Sequence, residues 1–199
     1  MAGLFRLGRM YRDGEGLSRD PLEAVNLFKK AAETGYAPAM VAVGLMFEGG
    51  NGLEADHFQS VQWYKKAADA GDAEGMAALG TMYSTGRGVE KNNATAAAWY
   101  TEAAKRGQLL AIHNLAYHYD KGLGVTRNPQ QAASYIYLAL ERRYQFTYQQ
   151  MMQNSRAWSR EFRKAFQQLL VNGGYYSGSV DGSFGRTTFD AINTMVGAR

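Results

Sequence analysis

The three histidines are the side chains best suited to acid–base or metal chemistry, and their spacing supports neither. His57, His113 and His118 show no metal-ligand spacing, and the last two lie five residues apart, on different sides of a helix. The chain has no cysteine, so it can form neither a thiolate metal site nor a disulfide. It also has no Ser-x-x-Lys sequence, no Gly-x-Ser-x-Gly elbow and no phosphate-binding Gly-Lys-Ser/Thr loop. We therefore predict a protein that is not an enzyme and holds no metal or cofactor.

The charge pattern argues against a nucleic-acid partner. The formal net charge is +4, but the positive excess is mostly C-terminal, and no run of five or more like charges occurs. No segment interleaves aromatic and basic residues in the way that a nucleic-acid platform does. We expect no binding to nucleic acid.

A block of small and aromatic residues recurs every 36 positions over residues 1–144, without insertion or deletion. Each copy has a small residue in its first half, at Gly8, Gly44, Gly80 and Ala116. An aromatic residue follows three positions later, then a Gly-x-Gly pair, and an Ala-Ala pair closes the first three copies. Four copies in strict register predict a repeat array. The copies are residues 1–36, 37–72, 73–108 and 109–144.

Each copy predicts a pair of short helices. In the first copy Leu4, Leu7 and Tyr11 lie on one face of a 3.6-residue period, which predicts the first helix. The Gly-x-Gly pair suits a chain reversal, and residues 20–23, Asp-Pro-Leu-Glu, supply an N-cap, a first-turn proline and a capping-box glutamate. We predict an all-α fold: a right-handed α-solenoid of four helix-pair repeats with a small C-terminal helical module.

These residues resemble the Sel-one-like repeat, a short helix-pair relative of the tetratricopeptide repeat. The family pattern joins Leu-Gly-x-x-Tyr, Gly-x-Gly-Val, an Asp or Asn cap and Trp-Tyr-x-Lys-Ala-Ala, and residues 73–107 meet nearly all of it. The resemblance covers residues 1–144. The fourth copy departs from it, with bulkier apolar residues at 135–140 and Arg143 in place of the closing glycine. We expect its second helix to end the array and to pack on the segment that follows.

Stacked first helices in such arrays line a concave face, and residues between the core positions point into the groove. The groove candidates are Arg9, Leu45, Glu48, Thr81, His113, Asn114 and Tyr117. Apolar centres with polar flanks suit a protein partner, either a peptide or a domain edge. A solvated concave wall fits the same pattern.

Residues 145–199 do not continue the repeat. Ser155 can cap an amphipathic helix that ends before a turn-rich loop at residues 175–185. Thr187 or Thr188 can cap a last short helix. We predict that this segment is a separate helical domain.

The stretch 166–192 resembles the small helical peptidoglycan-binding domain found at the ends of bacterial cell-wall proteins. Gly174-Tyr175-Tyr176 and Val180-Asp181-Gly182-Ser183-Phe184-Gly185 carry the resemblance. The family usually has leucine where Phe166 stands and an aromatic residue where Met195 stands.

The resemblance implies five candidate contacts with peptidoglycan: Tyr175, Tyr176, Asp181, Phe184 and Arg186. A tyrosine ring offers a flat apolar face and a polar tip to a sugar, and an arginine can pair with a stem-peptide carboxylate. Asp181 precedes a glycine, so it also has a role in stabilising its own turn.

Together the two resemblances imply a non-enzymatic periplasmic scaffold that binds a protein partner and peptidoglycan. The arrangement is similar to the periplasmic end of polar localisation factors of the PodJ type, which implies a role in marking a cell pole for development. One alternative is a periplasmic regulator whose repeats bind a sensor kinase and whose last module only caps the array. Another is an accessory subunit of a cell-wall hydrolase.

The N-terminal residues suggest that more sequence precedes them. Met1 occupies the position of Ala37 and Ala73 in later copies, and residues 1–6 lack the features of a signal peptide. We therefore expect a fragment of a larger, membrane-anchored bacterial protein. Contact with a membrane would come only through the upstream segment.

Overall fold

A computed structural model describes residues 1–197, and every regular element in that range is a helix. Four helix pairs come first: α1 (Ala2–Asp13) and α2 (Pro21–Glu33), α3 (Ala37–Gly49) and α4 (His57–Asp69), α5 (Ala73–Thr85) and α6 (Asn93–Lys105), α7 (Leu109–Lys121) and α8 (Pro129–Glu141). The remaining elements are α9 (Gln145–Asn154), a 3-10 turn (Ser155–Ala157), α10 (Arg160–Asn172) and α11 (Arg186–Val196). The predicted all-α class of helix-pair repeats is confirmed. Ala198 and Arg199 of the predicted C-terminal module lie outside the described residues.

The second helix of every repeat begins on a side-chain cap. The cap residue's side-chain oxygen accepts a hydrogen bond from the backbone N–H three residues later, at 3.0 Å in every repeat. The cap residues are Asp20, Asp56, Asn92 and Asn128. Such a cap satisfies one of the free N–H groups of the first turn and is worth about 1 kcal/mol. The caps predicted from the sequence are confirmed.

The first helix of every repeat ends on a glycine in the left-handed region, with φ between 65° and 77°. The second glycine of the Gly-x-Gly pair also has positive φ, and in two repeats it lies against the preceding repeat. Gly52 lies against Pro21 at the start of α2, and Gly88 lies against His57 at the start of α4. These glycines therefore let neighbouring repeats approach each other through their backbones.

Neither of the two caps predicted in the C-terminal segment forms at the predicted residue. Ser159, and not Ser155, caps α10, since its Oγ accepts the N–H of Phe162 at 3.1 Å. Ser155 has helical backbone angles because α9 runs directly into the 3-10 turn, whereas an N-cap needs an extended backbone. Neither predicted threonine caps α11, which begins after Gly185 without a side-chain cap.

Residues 1–106 form one compact unit. Within it α2 packs against α3, and α4 packs against α5, so successive repeats share helix faces. Its core includes Phe28, Val43 and Met46, all of which are buried.

A second compact unit begins at Gly107 and contains the fourth repeat together with α9, α10 and α11. In this unit α8 packs against α10 and α11, and its Ile136 and Leu140 share a core with Phe166. The expectation that the last repeat helix packs on the following segment is confirmed. The division at residue 144 follows the repeat pattern and stays a prediction.

None of the helices within residues 1–197 combines the length and the apolar character that crossing a lipid bilayer requires.

Candidate functional site

The predicted groove residues of the first unit differ in their exposure to solvent. Arg9 is exposed and Leu45 is 45% exposed, whereas Glu48 and Thr81 are half-buried. Leu45 is therefore an apolar side chain open to a partner. The two half-buried residues are engaged within the fold.

Glu48 and Thr81 each accept a hydrogen bond from a tyrosine of the paired helix. The Tyr64 hydroxyl donates to Glu48 Oε2 at 2.6 Å, and Glu48 Oε1 pairs with Arg87 at 2.8 Å. Burial, followed by the hydrogen bond to Glu48, raises the pKa of Tyr64, so its hydroxyl stays a donor. The Tyr100 hydroxyl donates to Thr81 Oγ1 at 3.2 Å. Glu48 thereby joins the second repeat to the loop of the third.

A cleft of about 460 Å³ lies beside Arg9 on the first helix. Phe5 and Met10 give it apolar walls, and Arg6 adds a second exposed cation. Glu15 lies at its edge. Apolar walls beside two arginines suit an acidic segment of a partner protein.

His113, a predicted groove residue of the second unit, is only 8% exposed. Its Nδ1 shares a hydrogen bond with Thr147 Oγ1 at 3.0 Å, and Phe146 and Trp158 meet its ring edge-on at 4.9 and 5.7 Å. Burial lowers its pKa to about 4. Since α9 and Trp158, which follows the 3-10 turn, cover this side of α7, His113 lies in the interior and not on an open groove wall.

Tyr117 and Asn114, the other two groove candidates of this unit, remain accessible. Tyr117 is 41% exposed and holds one edge against Trp158, with ring centroids 5.9 Å apart. Asn114 is half-buried. A partner could reach these side chains, so both stay predictions.

The two neighbouring tyrosines of the C-terminal loop have different environments. Tyr176 is 9% exposed, and its hydroxyl donates to the Ser179 carbonyl at 3.0 Å and accepts from Gln167 at 3.3 Å. Tyr175 is 38% exposed. Tyr176 thus holds the loop together, and Tyr175 is the more exposed of the pair.

The other predicted wall contacts lie on this loop and on the first turn of α11. Asp181 accepts the Ser183 N–H at 2.7 Å, which holds the pKa of Asp181 below its usual range and stabilises the turn. Phe184 is half-buried against Phe166, with centroids 5.9 Å apart, and Arg186 is almost fully exposed. None of these placements tests contact with peptidoglycan, which stays a prediction.

A cleft of about 630 Å³ opens between the end of α9 and this loop. We call it the α9–loop cleft; the residues that matter to its chemistry are Gln150, Gln153, Asn154, Arg156, Phe184 and Phe189. A smaller cavity of about 210 Å³ shares Arg156 and Phe184 with it and reaches Arg163 and Gly182. The sequence pattern singled out only Phe184 of this set.

The described residues bring no metal-ligand cluster together. Within residues 1–197, no group of three or more His, Asp or Glu side chains could hold a metal ion. His118 Nδ1 instead lies 2.8 Å from the Leu123 carbonyl oxygen.

The four helix-pair repeats match a known repeat family. Residues 2–36, 37–72, 73–108 and 109–144 each match the Sel1 repeat. The chain belongs to the Sel1 repeat family. Sel1 repeats mediate protein–protein interactions and are typically non-enzymatic scaffolds, and Sel1 repeat proteins bind protein partners.

Solved structures share this fold. A Sel1 repeat protein from Oxalobacter formigenes has a TM-score of 0.70 and 24% sequence identity to this chain. The match covers 98% of this chain and 72% of the Oxalobacter protein. The protein c5321, a protective antigen of uropathogenic Escherichia coli strains displaying an SLR fold, has a TM-score of 0.66 and 26% identity. That match covers 98% of this chain and 45% of the antigen, so this chain spans less than half of its length. No curated protein matches the sequence significantly.

Beyond the Sel1 repeats, Gln167 organises the C-terminal loop. Its side chain is fully buried, and its Oε1 accepts the Gly182 N–H at 2.8 Å. Its Nε2 donates to the Ser183 carbonyl at 3.0 Å and lies 3.3 Å from both Tyr176 Oη and Thr188 Oγ1. The sequence pattern did not identify Gln167, because a glutamine between apolar helix positions resembles a surface residue.

Asp120 joins the fourth Sel1 repeat to α10. Its carboxylate is fully buried and accepts both the Ser159 N–H, at 2.9 Å, and the Ser159 hydroxyl. Lys121 pairs with the same carboxylate at 2.9 Å. The only sequence feature that points to a role for Asp120 is its position in the repeat, which Glu48 occupies two repeats earlier.

Proposed function

We propose that this Sel1 repeat protein is a non-enzymatic scaffold of the bacterial periplasm, which binds a protein partner through its repeats and peptidoglycan through residues 145–199. Family membership supports protein binding. The exposed Leu45 and the arginine-lined cleft beside Arg9 are surfaces that a partner could use in the first unit. The similarity to PodJ-type factors extends the proposal to marking a cell pole.

One observation carries the wall-binding half of the proposal. The loop that resembles a peptidoglycan-binding domain is held on α10 by the buried Gln167, and a cleft opens beside it. Binding residues are often on loops that a rigid scaffold holds in place, and ligand sites are usually clefts. The surface beside this loop is therefore the place to look for wall contacts.

Co-sedimentation of the full chain with purified sacculi tests wall binding. We expect the chain to pellet with sacculi and to be released by soluble muropeptides. Insoluble cellulose, a polysaccharide without stem peptides, is the control and should leave the chain in the supernatant. A chain that stays in the supernatant with sacculi as well would contradict wall binding.

A second function is favoured by the packing of α8. Ile136 and Leu140 are fully buried in the core that α10 completes, so the C-terminal helices act as a cap on the fourth repeat whatever else they do. If capping is their whole role, the chain is a regulator that binds only proteins, such as the external domain of a sensor kinase. That case predicts no pelleting with sacculi and retention of the chain on the immobilised kinase domain.

A further inference from the structure

We infer that the α9–loop cleft is the wall-binding subsite and takes an N-acetylated sugar with its acidic stem peptide attached. The inference rests on the proposed function and names the ligand's place and chemistry within it. It moves the contact surface away from Tyr175 and Arg186, which do not line the cleft, and towards Arg156.

The two sides of the cleft offer complementary chemistry. At the end of α9 stand the amides of Gln150, Gln153 and Asn154, and the Asn154 amide donates to Gln150 Oε1 at 3.0 Å. Each amide has donors and an acceptor, which match sugar hydroxyls and acetamido groups. Phe184 of the loop and Phe189 of α11 line the same cleft and contribute apolar ring surface, with centroids 6.3 Å apart. An aromatic ring beside polar groups suits a sugar, which has an apolar face and a polar rim.

Arg156 supplies the positive charge of the cleft. It is exposed, and no carboxylate within residues 1–197 forms an ion pair with it. Arg163, which lines the adjoining cavity, is committed to the fold: its Nε donates to the Gly182 carbonyl at 2.6 Å and its Nη1 donates to the Trp158 carbonyl at 3.0 Å. Arg156 is therefore available to a carboxylate of the ligand, and a charge-assisted pair of this kind is strong.

The wall of the cleft is ordered before any ligand arrives. Gln167 holds Gly182 and Ser183 on one side of the loop, and Arg160 Nε donates to the Asp181 carbonyl at 3.1 Å. Phe184 packs on Phe166 of α10. A binding surface already fixed in place avoids part of the entropy cost of binding.

Two matched arginine variants of the full chain test the inference. Arg156→Gln removes the cleft cation, and Arg142→Gln removes an exposed arginine of the same unit that neither lines the cleft nor is a candidate wall contact. The probe is a soluble disaccharide–tripeptide muropeptide, measured by calorimetry. We expect Arg156→Gln to weaken binding about tenfold or more, since the lost bond is charge-assisted, and Arg142→Gln to change it less than about twofold.

A second probe isolates the carboxylate. We expect the wild-type chain to prefer the muropeptide over its amidated form, and Arg156→Gln to lose that preference. Both arginines are exposed, so thermal unfolding should show the two variants folded like the wild type.

The outcomes separate the inference from the proposed function. If the wild type binds the muropeptide and Arg156→Gln weakens binding no more than Arg142→Gln does, the cleft assignment is overturned while wall binding stands. If the wild type binds neither muropeptide nor sacculi, both are overturned.

Discussion

In each of the first three repeats a glycine of the first helix faces an aromatic ring of the second. The pairs are Gly8 with Phe28, Gly44 with Tyr64, and Gly80 with Tyr100. At the equivalent positions the fourth repeat has Ala116 and Ile136, both fully buried in one core. In the fourth repeat the first helix has a methyl group where the other repeats have glycine, and the second helix has isoleucine where they have an aromatic ring. The distance between the two helices therefore limits the combined size of the two side chains.

Replacement of Gly80 by alanine tests this relation. An added Cβ would lie 2.6 Å from Tyr100 Cδ1, so Gly80→Ala should lower the free energy of unfolding by about 1–3 kcal/mol. The double variant Gly80→Ala/Tyr100→Ile recreates the pair of the fourth repeat. We expect it to lose less than the sum of the two single variants in urea denaturation. Strictly additive losses would show that the two positions do not constrain each other.

The burial of His113 predicts a loss of stability in acid. Burial lowers its pKa from 6.5 to about 4, so between these values the unfolded chain binds more protons than the folded chain. The stabilisation is fully present above pH 6.5 and decreases as the pH falls towards 4. Burial also lowers the pKa of His118, which acts in the same direction.

His113→Gln removes this titration while keeping a polar group near Thr147. We expect the free energy of unfolding, measured from pH 7.5 to pH 4, to fall less steeply in the variant than in the wild type. The difference over the window should be about 3 kcal/mol or less, at 1.36 kcal/mol per pKa unit. Parallel pH profiles would mean that His113 is not the group responsible.

At the scale of elements, the second glycine of the loop couples the second and the third repeat to the repeat before each. The backbone of Gly88, in the third repeat, lies so close to the His57 carbonyl at the start of α4 that a Cβ would overlap it. Backbone atoms at a helix start cannot move aside as a flexible side chain can. The contact therefore links the stability of α4 to the conformation of a loop in the next repeat.

Gly88→Ala and Gly71→Ala form a matched pair for this coupling. Both glycines have positive φ, at 69° and 86°, but a Cβ at Gly71 would meet no atom within 4 Å. Gly71→Ala should cost only the backbone strain, about 1–2 kcal/mol, and Gly88→Ala clearly more. The measurement is thermal unfolding of the full chain, and equal losses would exclude a steric link between the repeats.

At the scale of the whole molecule, the second compact unit joins the last repeat and the C-terminal helices in one core. Apolar packing between α8 and α10 is reinforced by polar links, since Asp120 holds Ser159, and Arg127 pairs with Glu161 at 3.0 Å. The exposed Arg127–Glu161 pair adds little by itself. The buried Asp120 carboxylate and the shared core contribute more to stability. Removing α10 would leave that carboxylate without Ser159 and the apolar residues of α8 exposed to water.

A chain cut after residue 144 should therefore lose structure in the fourth repeat. Without α10, the fully buried Ile136 and Leu140 would face water, each at a cost of about 1.5–3 kcal/mol. We expect hydrogen exchange in α8 to become much faster than in the full chain. Exchange in α4, which lies in the first unit, is the internal control and should not change. Full protection of α8 in the shortened chain would contradict a shared core.

The sequence alone determined the helix pairs, their caps and the turns between them. These features depend on neighbouring residues: a cap needs Asp20 beside its own first turn, and a left-handed turn needs Gly14 at one position of the backbone. Repetition of the same local signals every 36 residues made the family and its fold recognisable before any tertiary contact was known.

Only the tertiary structure decided which of the polar residues are buried and which are open to a partner. His113 matched the groove pattern but meets Thr147, Gln167 resembled a surface glutamine but holds Gly182, and the buried Asp120 holds Ser159. Each outcome depends on a group that another element brings across from elsewhere in the chain, and the spacing of residues along one helix does not specify that group. The same reason separates Arg156, which lines a cleft, from Arg186, which the sequence pattern favoured.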